Sequence, residues 1–252
     1  MTGPATNGRH AAPVSLHLGV LALQGAFAEH IHILQSLAHG NVHISGNEDP
    51  THSSENVPFT VASVRAVRNA EELAAIDGLI IPGGESTTMA LIAERTGLWE
   101  PLAKFTRTKP TWGTCAGMIM LASAATGTKQ GGQRLLQTLP IAVQRNRFGS
   151  QLASFEAELD APCLEPFGLH PFRAVFIRAP VVTALNAPEV QVLAQIDAPV
   201  GSDPLPEGST RDVVAVRRNH CLATAFHPEL TGDNRWHHYF VSMVAAYVAQ
   251  RT

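Results

Sequence analysis

Three short stretches of this chain carry residue types that, brought together, could break an amide bond. In Gly113-Thr114-Cys115-Ala116-Gly117 an apolar run ends in a thiol and leads directly into a helical pattern. Such a nucleophile elbow needs a sharp strand-to-helix turn with the central residue in a strained backbone state. Glycines two positions to either side let the chain pass without side-chain collision. At a helix N-terminus the unpaired N–H groups also favour an anion. A lone cysteine is more often a buried structural residue; the paired glycines favour the nucleophile here. A thiolate acting on an amide needs a proton carrier and a group to orient it, and His227-Pro228-Glu229 supplies both. In an extended segment the two side chains at i and i+2 face the same way. With 12 histidines in the chain the tripeptide alone is weak, but it follows the apolar run Leu222–Phe226, at a strand end where α/β sites assemble. In Ile80-Ile81-Pro82-Gly83-Gly84-Glu85-Ser86 a strand stops at two glycines before a helix opening with Ser86, Thr87 and Thr88. Free amides at such a turn can hold an oxyanion. A phosphate loop is excluded by the absence of a Gly-Lys-Ser/Thr ending and of GxGxxG spacing.

The elements that must position these residues follow from hydrophobic periodicity. Leu18–Leu23 reads as a strand, and Phe27, Ile31, Leu34 and Leu37 as one face of a helix. Val61–Val67 and Gly78–Ile81 are strands, Ala70–Ile76 and Ser86–Arg95 helices, and Pro110–Thr114 enters the elbow before a helix over Ala116–Ser123. Strands that are apolar on both faces and alternate with helices predict an α/β fold with a parallel sheet covered on both sides. Beyond Leu139 the texture changes. Ile141–Val143, Gln151–Leu159, Phe172–Ile177, Gln191–Ile196 and Val213–Val216 read as strands without long helices between them, so an antiparallel extension of the sheet is expected. Trp236, Phe240, Met243, Val244 and Tyr247 then mark an amphipathic helix over Asn234–Gln250.

The composition fits this picture and excludes others. The chain has 252 residues, 45% hydrophobic and 15% charged, with a formal charge of −3, so no basic excess points to nucleic acid. No apolar run approaches the roughly 20 residues that cross a bilayer. Cys115, Cys163 and Cys221 are too few and too widely spaced for a disulfide framework or a structural zinc site, which predicts a reducing, cytoplasmic setting. His30 with His32, and His237 with His238, lack a further ligand at metal spacing, so no metal site is expected. Residues 1–16 are expected to be a flexible tail and 17–252 a single domain, with polar surface loops at Gly40–Pro58 and Gly127–Gln137 and no internal repeat.

In this order the stretches resemble the class I (triad) glutamine amidotransferase family, and within it the glutaminase subunits of pyridoxal 5′-phosphate synthase. The resemblance rests on Leu21-Ala22-Leu23-Gln24-Gly25-Ala26-Phe27-Ala28-Glu29-His30, Pro82 to Met89, Gly113 to Met118, Arg145-Asn146 through Ser154-Phe155-Glu156, Phe176 to Pro180, and Ala225 to Leu230, and covers about residues 17–250. It implies a flavodoxin-like three-layer sandwich with a mostly parallel central sheet. It also implies Cys115 as nucleophile, His227 as general base and acid, Glu229 as orienting carboxylate, and the amides of Gly84 and Ala116 as the oxyanion hole. Glutamine binding would fall to Gly84, Glu85, Ser86, Arg145, Ile177 and Arg178, and the types suit this: Glu85 can meet an α-ammonium, Arg145 or Arg178 a carboxylate.

No cofactor is implied. The partner implied is a synthase subunit that receives the ammonia through a protein channel, in a hetero-oligomer where the glutaminase is weak until docked. Gln24, Gly25 and His30 lie in a segment the resemblance associates with that contact. Two alternatives remain at this level: a glutaminase serving another amidotransferase, and a non-catalytic assembly subunit.

Overall fold

The computed structural model describes residues 13–37, 39–43, 56–127, 133–148, 154–198 and 211–251. Its first half alternates strand and helix. β1 (Val14–Leu21) runs through the Gln24–Gly25 turn into α1 (Phe27–Ser36). After it come β2 (His39–His43), β3 (Asn56–Val67), α2 (Ala70–Ala74), β4 (Gly78–Ile81), α3 (Ser86–Arg95), α4 (Trp99–Thr108), β5 (Thr111–Thr114) and α5 (Ala116–Leu121). The second half is mostly strands: β6 (Ala122–Thr126), β7 (Leu139–Gln144), β8 (Ser154–Leu159), β9 (Phe172–Ile177), β10 (Val181–Leu185), β11 (Gln191–Ile196), β12 (Asp212–Arg218) and β13 (Cys221–Thr224), closed by α6 (Arg235–Ala249).

One sheet takes the order β2-β3-β1-β4-β5-β13-β12-β10-β7-β6, with β11 on β12. From β3 to β13 every neighbour is parallel. The sheet then turns antiparallel through β12, β10 and β7. The α/β class and the antiparallel extension are therefore as the sequence pattern predicts, although β8 and β9 leave the sheet to form a hairpin of their own.

Alternation along the central strands assigns the helices to opposite faces. Gly78 of β4 abuts Val244 and Phe240 of α6, whereas Gly117 of α5 lies against the backbone of Ile81. In β5, Trp112 packs its ring on Phe240 and on His30 of α1, while its neighbour Gly113 meets α5. Two helical layers thus enclose β4 and β5, whose residues are all buried, as strands covered on both faces must be.

Several boundaries differ from the pattern. β1 begins at Val14, inside the span read as tail, and residues 1–12 lie outside the described ones. The segment Gly40–Pro58 is not all loop: β2 and the start of β3 pair antiparallel there, at the sheet edge, where a strand can be polar. Residues 44–55 lie outside the described ones, as do 128–132 of the second polar stretch. The elbow helix stops at Leu121 rather than Ser123, because Ala122 and Ser123 are drawn into β6 by parallel pairing with β7. α4, β6 and β10 are not picked out by the periodicity read above. Among the described residues no helix is long and apolar enough to cross a membrane.

Candidate active site

Four turns at the C-terminal edge of the parallel strands meet here. Cys115 follows β5 with φ 47° and ψ −102°, a conformation that L residues rarely adopt. Its N–H is tied to Thr224 O at 2.8 Å, which locks the elbow to the neighbouring β13. The flanking glycines are required by contact. A Cβ on Gly113 would sit 2.5 Å from the backbone of Gly117, and one on Gly117 would sit 2.1 Å from Ile81 O. Cys115 is 7% exposed, and its sulfur lies 3.9 Å from Ile177 O.

His227 comes three residues after β13. Phe226, just before it, is fully buried against Phe172, Phe176 and Trp236, an anchor of about 1.5–3 kcal/mol for the ring. The His227 N–H donates to Val175 O at 2.8 Å, its Nδ1 is 2.7 Å from Glu229 Oε1, and its ring is in hydrogen-bonding reach of Cys115. The pairing does not arise from an extended segment with both side chains on one face. Pro228–Leu230 form a 3-10 turn, and that turn brings the carboxylate back onto the ring. Burial works to lower the His227 pKa, but the hydrogen bonds and charges of Cys115 and Glu229 outweigh it and hold the pKa well above the ordinary histidine range.

The glycine turn after β4 closes one side. Gly83 lies flat against the His227 ring, its carbonyl accepts from Ala26 N–H at 3.1 Å, and Glu85 N–H donates to Gln24 Oε1 at 2.6 Å. Glu85 caps α3, accepting from the N–H groups of Thr87 and Thr88 and from the Thr88 hydroxyl. Partial burial opposes ionisation, yet these hydrogen bonds hold its pKa down at about 2. Arg145 Nη2 lies 3.2 Å from Glu85 Oε1, so the two groups expected to meet the two ends of glutamine's backbone meet each other.

Ser86 is buried and donates to Gln133 Oε1 at 2.8 Å, an oxygen also approached by Thr87 and Arg145. Gln133 was not singled out by the sequence reading. It sits in a segment read as loop and offers no motif signal, only a side chain whose Nε2 is buried without a hydrogen bond. Arg178 is exposed, with φ 44°, and Ile177 is exposed on the same edge. Ala116 opens α5 immediately after Cys115 in the chain.

Of the five non-glycine residues with positive φ among the described ones, Cys115, Asn146 and Arg178 fall within or beside the expected site. Backbone strain concentrates where a fold positions function. The loops bearing Arg145 and Arg178 are joined by Arg147, whose N–H donates to Ala179 O at 3.2 Å and whose buried guanidinium pairs with Asp212 at 3.1 Å.

A mostly parallel sheet with a cysteine elbow facing a His-Glu pair is the architecture of a glutamine amidotransferase. A solved structure described as a glutamine amidotransferase superposes on 90% of this chain and 98% of its own, with a TM-score of 0.66 and 36% identity. The chain belongs to the SNO glutamine amidotransferase family, whose model matches residues 20–246. Among its relatives, the probable pyridoxal 5′-phosphate synthase subunit PDX2 of Arabidopsis thaliana is 44% identical over 90% of this chain and 85% of that protein. The pyridoxal 5′-phosphate synthase subunit PdxT of Dehalococcoides mccartyi is 44% identical over 92% of this chain and 99% of its own.

Proposed function

We propose that this chain hydrolyses L-glutamine to L-glutamate and ammonia at Cys115, His227 and Glu229, and passes the ammonia to a synthase subunit that builds pyridoxal 5′-phosphate. The observation that carries the reading is the left-handed Cys115 at its elbow with the His227 ring in reach and the Glu229 carboxylate 2.7 Å behind it. The similarity to synthase subunits along nearly the whole chain supports the pathway.

The Cys115 sulfur attacks the side-chain amide carbon, and the oxyanion formed is held by the N–H groups of Gly84 and Ala116. His227 gives its proton to the nitrogen as the C–N bond breaks, so ammonia departs and a glutamyl thioester remains. Water then loses a proton to His227, attacks the thioester and releases glutamate and the thiolate. Glu229 accepts from His227 Nδ1–H, which keeps the ring oriented and leaves the other ring nitrogen free to take up and give the proton. Glu85, Ser86, Arg145, Ile177 and Arg178 line the approach, the Glu85–Arg145 pair opening to take the α-ammonium and α-carboxylate.

Free ammonia would be protonated and diluted in water, which is why a partner and a channel belong to the function. All three cysteines are free thiols, in keeping with a cytoplasmic setting. The test is glutamate production with and without the pyridoxal phosphate synthase subunit. Stimulation by that subunit is expected, and Cys115→Ala should abolish turnover while the two chains still associate. Stimulation only by a different synthase, or hydrolysis retained by the alanine variant, would overturn the assignment.

A further inference from the structure

Behind Glu229 the polar chain continues in a direction the motifs do not indicate. Glu229 Oε1 is taken by His227, while Oε2 is buried and has no well-aligned hydrogen bond. Its nearest polar neighbour is His30 Nε2, 3.4 Å away, on a side chain with no exposed surface. His30 Nδ1 in turn lies 2.9 Å from His237 Nε2, across 207 positions of sequence, and Thr114 Oγ1 stands 3.4 Å from His30 Nε2. The Trp112 ring packs edge-on against both imidazoles. An ionised carboxylate buried with one bare oxygen is costly, and a group that donates to that oxygen both lowers the cost and fixes the plane of the carboxylate.

Resting on the triad reading above, we propose that His30 is a positioning residue for Glu229, donating its Nε2–H to the second carboxylate oxygen while His237 holds its far side. The tautomers follow from the acceptors. An ionised carboxylate only accepts, so His30 Nε2 carries the hydrogen and Thr114 Oγ1 shares it. His30 Nδ1 is then bare and accepts from His237 Nε2–H. The chain ends at His237 Nδ1, which is buried without a partner, as a bare acceptor tolerates better than an N–H would.

Neutral rings suit this role. Burial pushes the His30 pKa down to about 3, against the pull of the Glu229 charge and with the charges of His237 and His227 reinforcing it. His237 is likewise lowered to about 3, by burial and then by His238. Neither ring takes up a proton near neutrality, so the pair acts as a fixed dipole behind Glu229 and not as a proton store. The 3.4 Å separation is long for a hydrogen bond, and catalytic hydrogen bonds of this kind shorten when substrate closes the site. α1 also follows the turn that holds Gly83 and Glu85, so one helix and its leading turn brace two sides of the site.

The test compares His30→Gln, His30→Asn and His30→Leu in the complex with the synthase subunit. A glutamine amide can place a donor where Nε2 was, whereas asparagine can serve His237 but not Glu229. The expected result is a kcat lowered about tenfold for His30→Asn and His30→Leu with KM unchanged, and a kcat within about threefold of the parent for His30→Gln. The alkaline limb of kcat/KM should move to lower pH in His30→Asn and His30→Leu only. Equal losses in all three variants, or full activity and an unmoved limb in folded His30→Asn, would overturn the proposal.

A measurement on the unaltered protein guards against misfolded variants. With 15N-labelled histidine, His30 should show the Nε2–H tautomer and remain neutral from pH 5 to 9, and an Nδ1–H tautomer or a protonated ring would refute the role. Retained turnover in Cys115→Ala would instead sink the triad reading itself, whatever the His30 variants do.

Discussion

Gly83→Ala tests the site geometry with a single methyl group. Built on Gly83, a Cβ lands 2.4 Å from Cε1 and 2.9 Å from Nδ1 of His227, where ordinary contact begins at 3.4 Å. One side must retreat by about 1 Å, since the repulsive wall forbids sharing that space. Gly83 is held from behind: its carbonyl accepts from Ala26 N–H at 3.1 Å, and the Gly25 Cα faces the same carbonyl so closely that a Cβ there would come within 1.9 Å of it. The His227 backbone is fixed at its N–H and its carbonyl, while the imidazole is a side chain free to turn, so the ring is the part that yields.

A catalytic group displaced by about 1 Å loses on the order of a hundredfold in rate. Glutamate release in the presence of the synthase subunit should therefore show kcat/KM lower by about that factor. The fold should survive, because overpacking at one methyl costs about 1–3 kcal/mol. Gly232→Ala, whose added Cβ meets nothing within 4 Å, is the control and should leave both activity and melting unchanged. A Gly83→Ala protein with native circular dichroism and kcat/KM within about threefold of the parent, far short of the hundredfold expected from misplacement, would refute the placement of His227 against this turn.

Glu229→Gln removes the charge that helps keep the proton on His227. The ring's pKa is raised by its bonds to Cys115 and Glu229 in spite of burial, so protonated His227, the form proposed to supply a proton to the leaving ammonia, persists above the usual range. Activity should fall on the alkaline side where that proton is lost, and in Glu229→Gln the fall should begin at lower pH, with kcat reduced by up to about 10⁴ through the wrong tautomer. An unmoved limb in the kcat/KM profile would contradict the assignment. Arg145→Ala should raise KM for glutamine by about tenfold or more with little change in kcat, as expected for a lost charge-assisted bond to the substrate carboxylate. A lowered kcat at constant KM would move Arg145 out of the binding role.

The parts of the site legible in the sequence are those whose signal is local. Gly78–Ile81 and Ser86–Arg95 carry the bounds their patterns predict, and the glycines of the elbow are dictated by contacts with Ile81 and with each other. The His30–His237 contact could not be read, because each residue sits singly in an apolar helical stripe and the two are 207 positions apart. The left-handed backbone at Arg178 leaves no trace in residue type, since nothing about arginine favours it. Gln133 belongs to a polar stretch that looks like any surface loop. The His227–Glu229 pair was legible by spacing, yet the turn that makes it was not: the same i and i+2 positions serve a pleat or a 3-10 turn, and Pro228 at the first helical position selects the turn.

The accuracy of the proposed triad is set by strand register more than by the loops that carry it. β1, β4, β5 and β13 are neighbours in the sheet and all parallel, so their C-terminal ends share one edge although they are far apart in the chain. Thr114 pairs with Thr224 and Ile81 with Gly113, which places Cys115 one residue, Gly83 two and His227 three beyond paired strand ends. A slip of one residue between β5 and β13 would shift the sulfur along the edge by about 3.3 Å and turn alternate side chains to the opposite face. That is several times the displacement the chemistry tolerates. Burial on both faces of β4, β5 and β13 penalises such a slip, because either neighbouring register would drive bulky side chains such as Trp112 into the helical layer that Gly113 now meets. The apolar runs that first marked these strands in the sequence are thus also what keeps sulfur, imidazole and carboxylate in line.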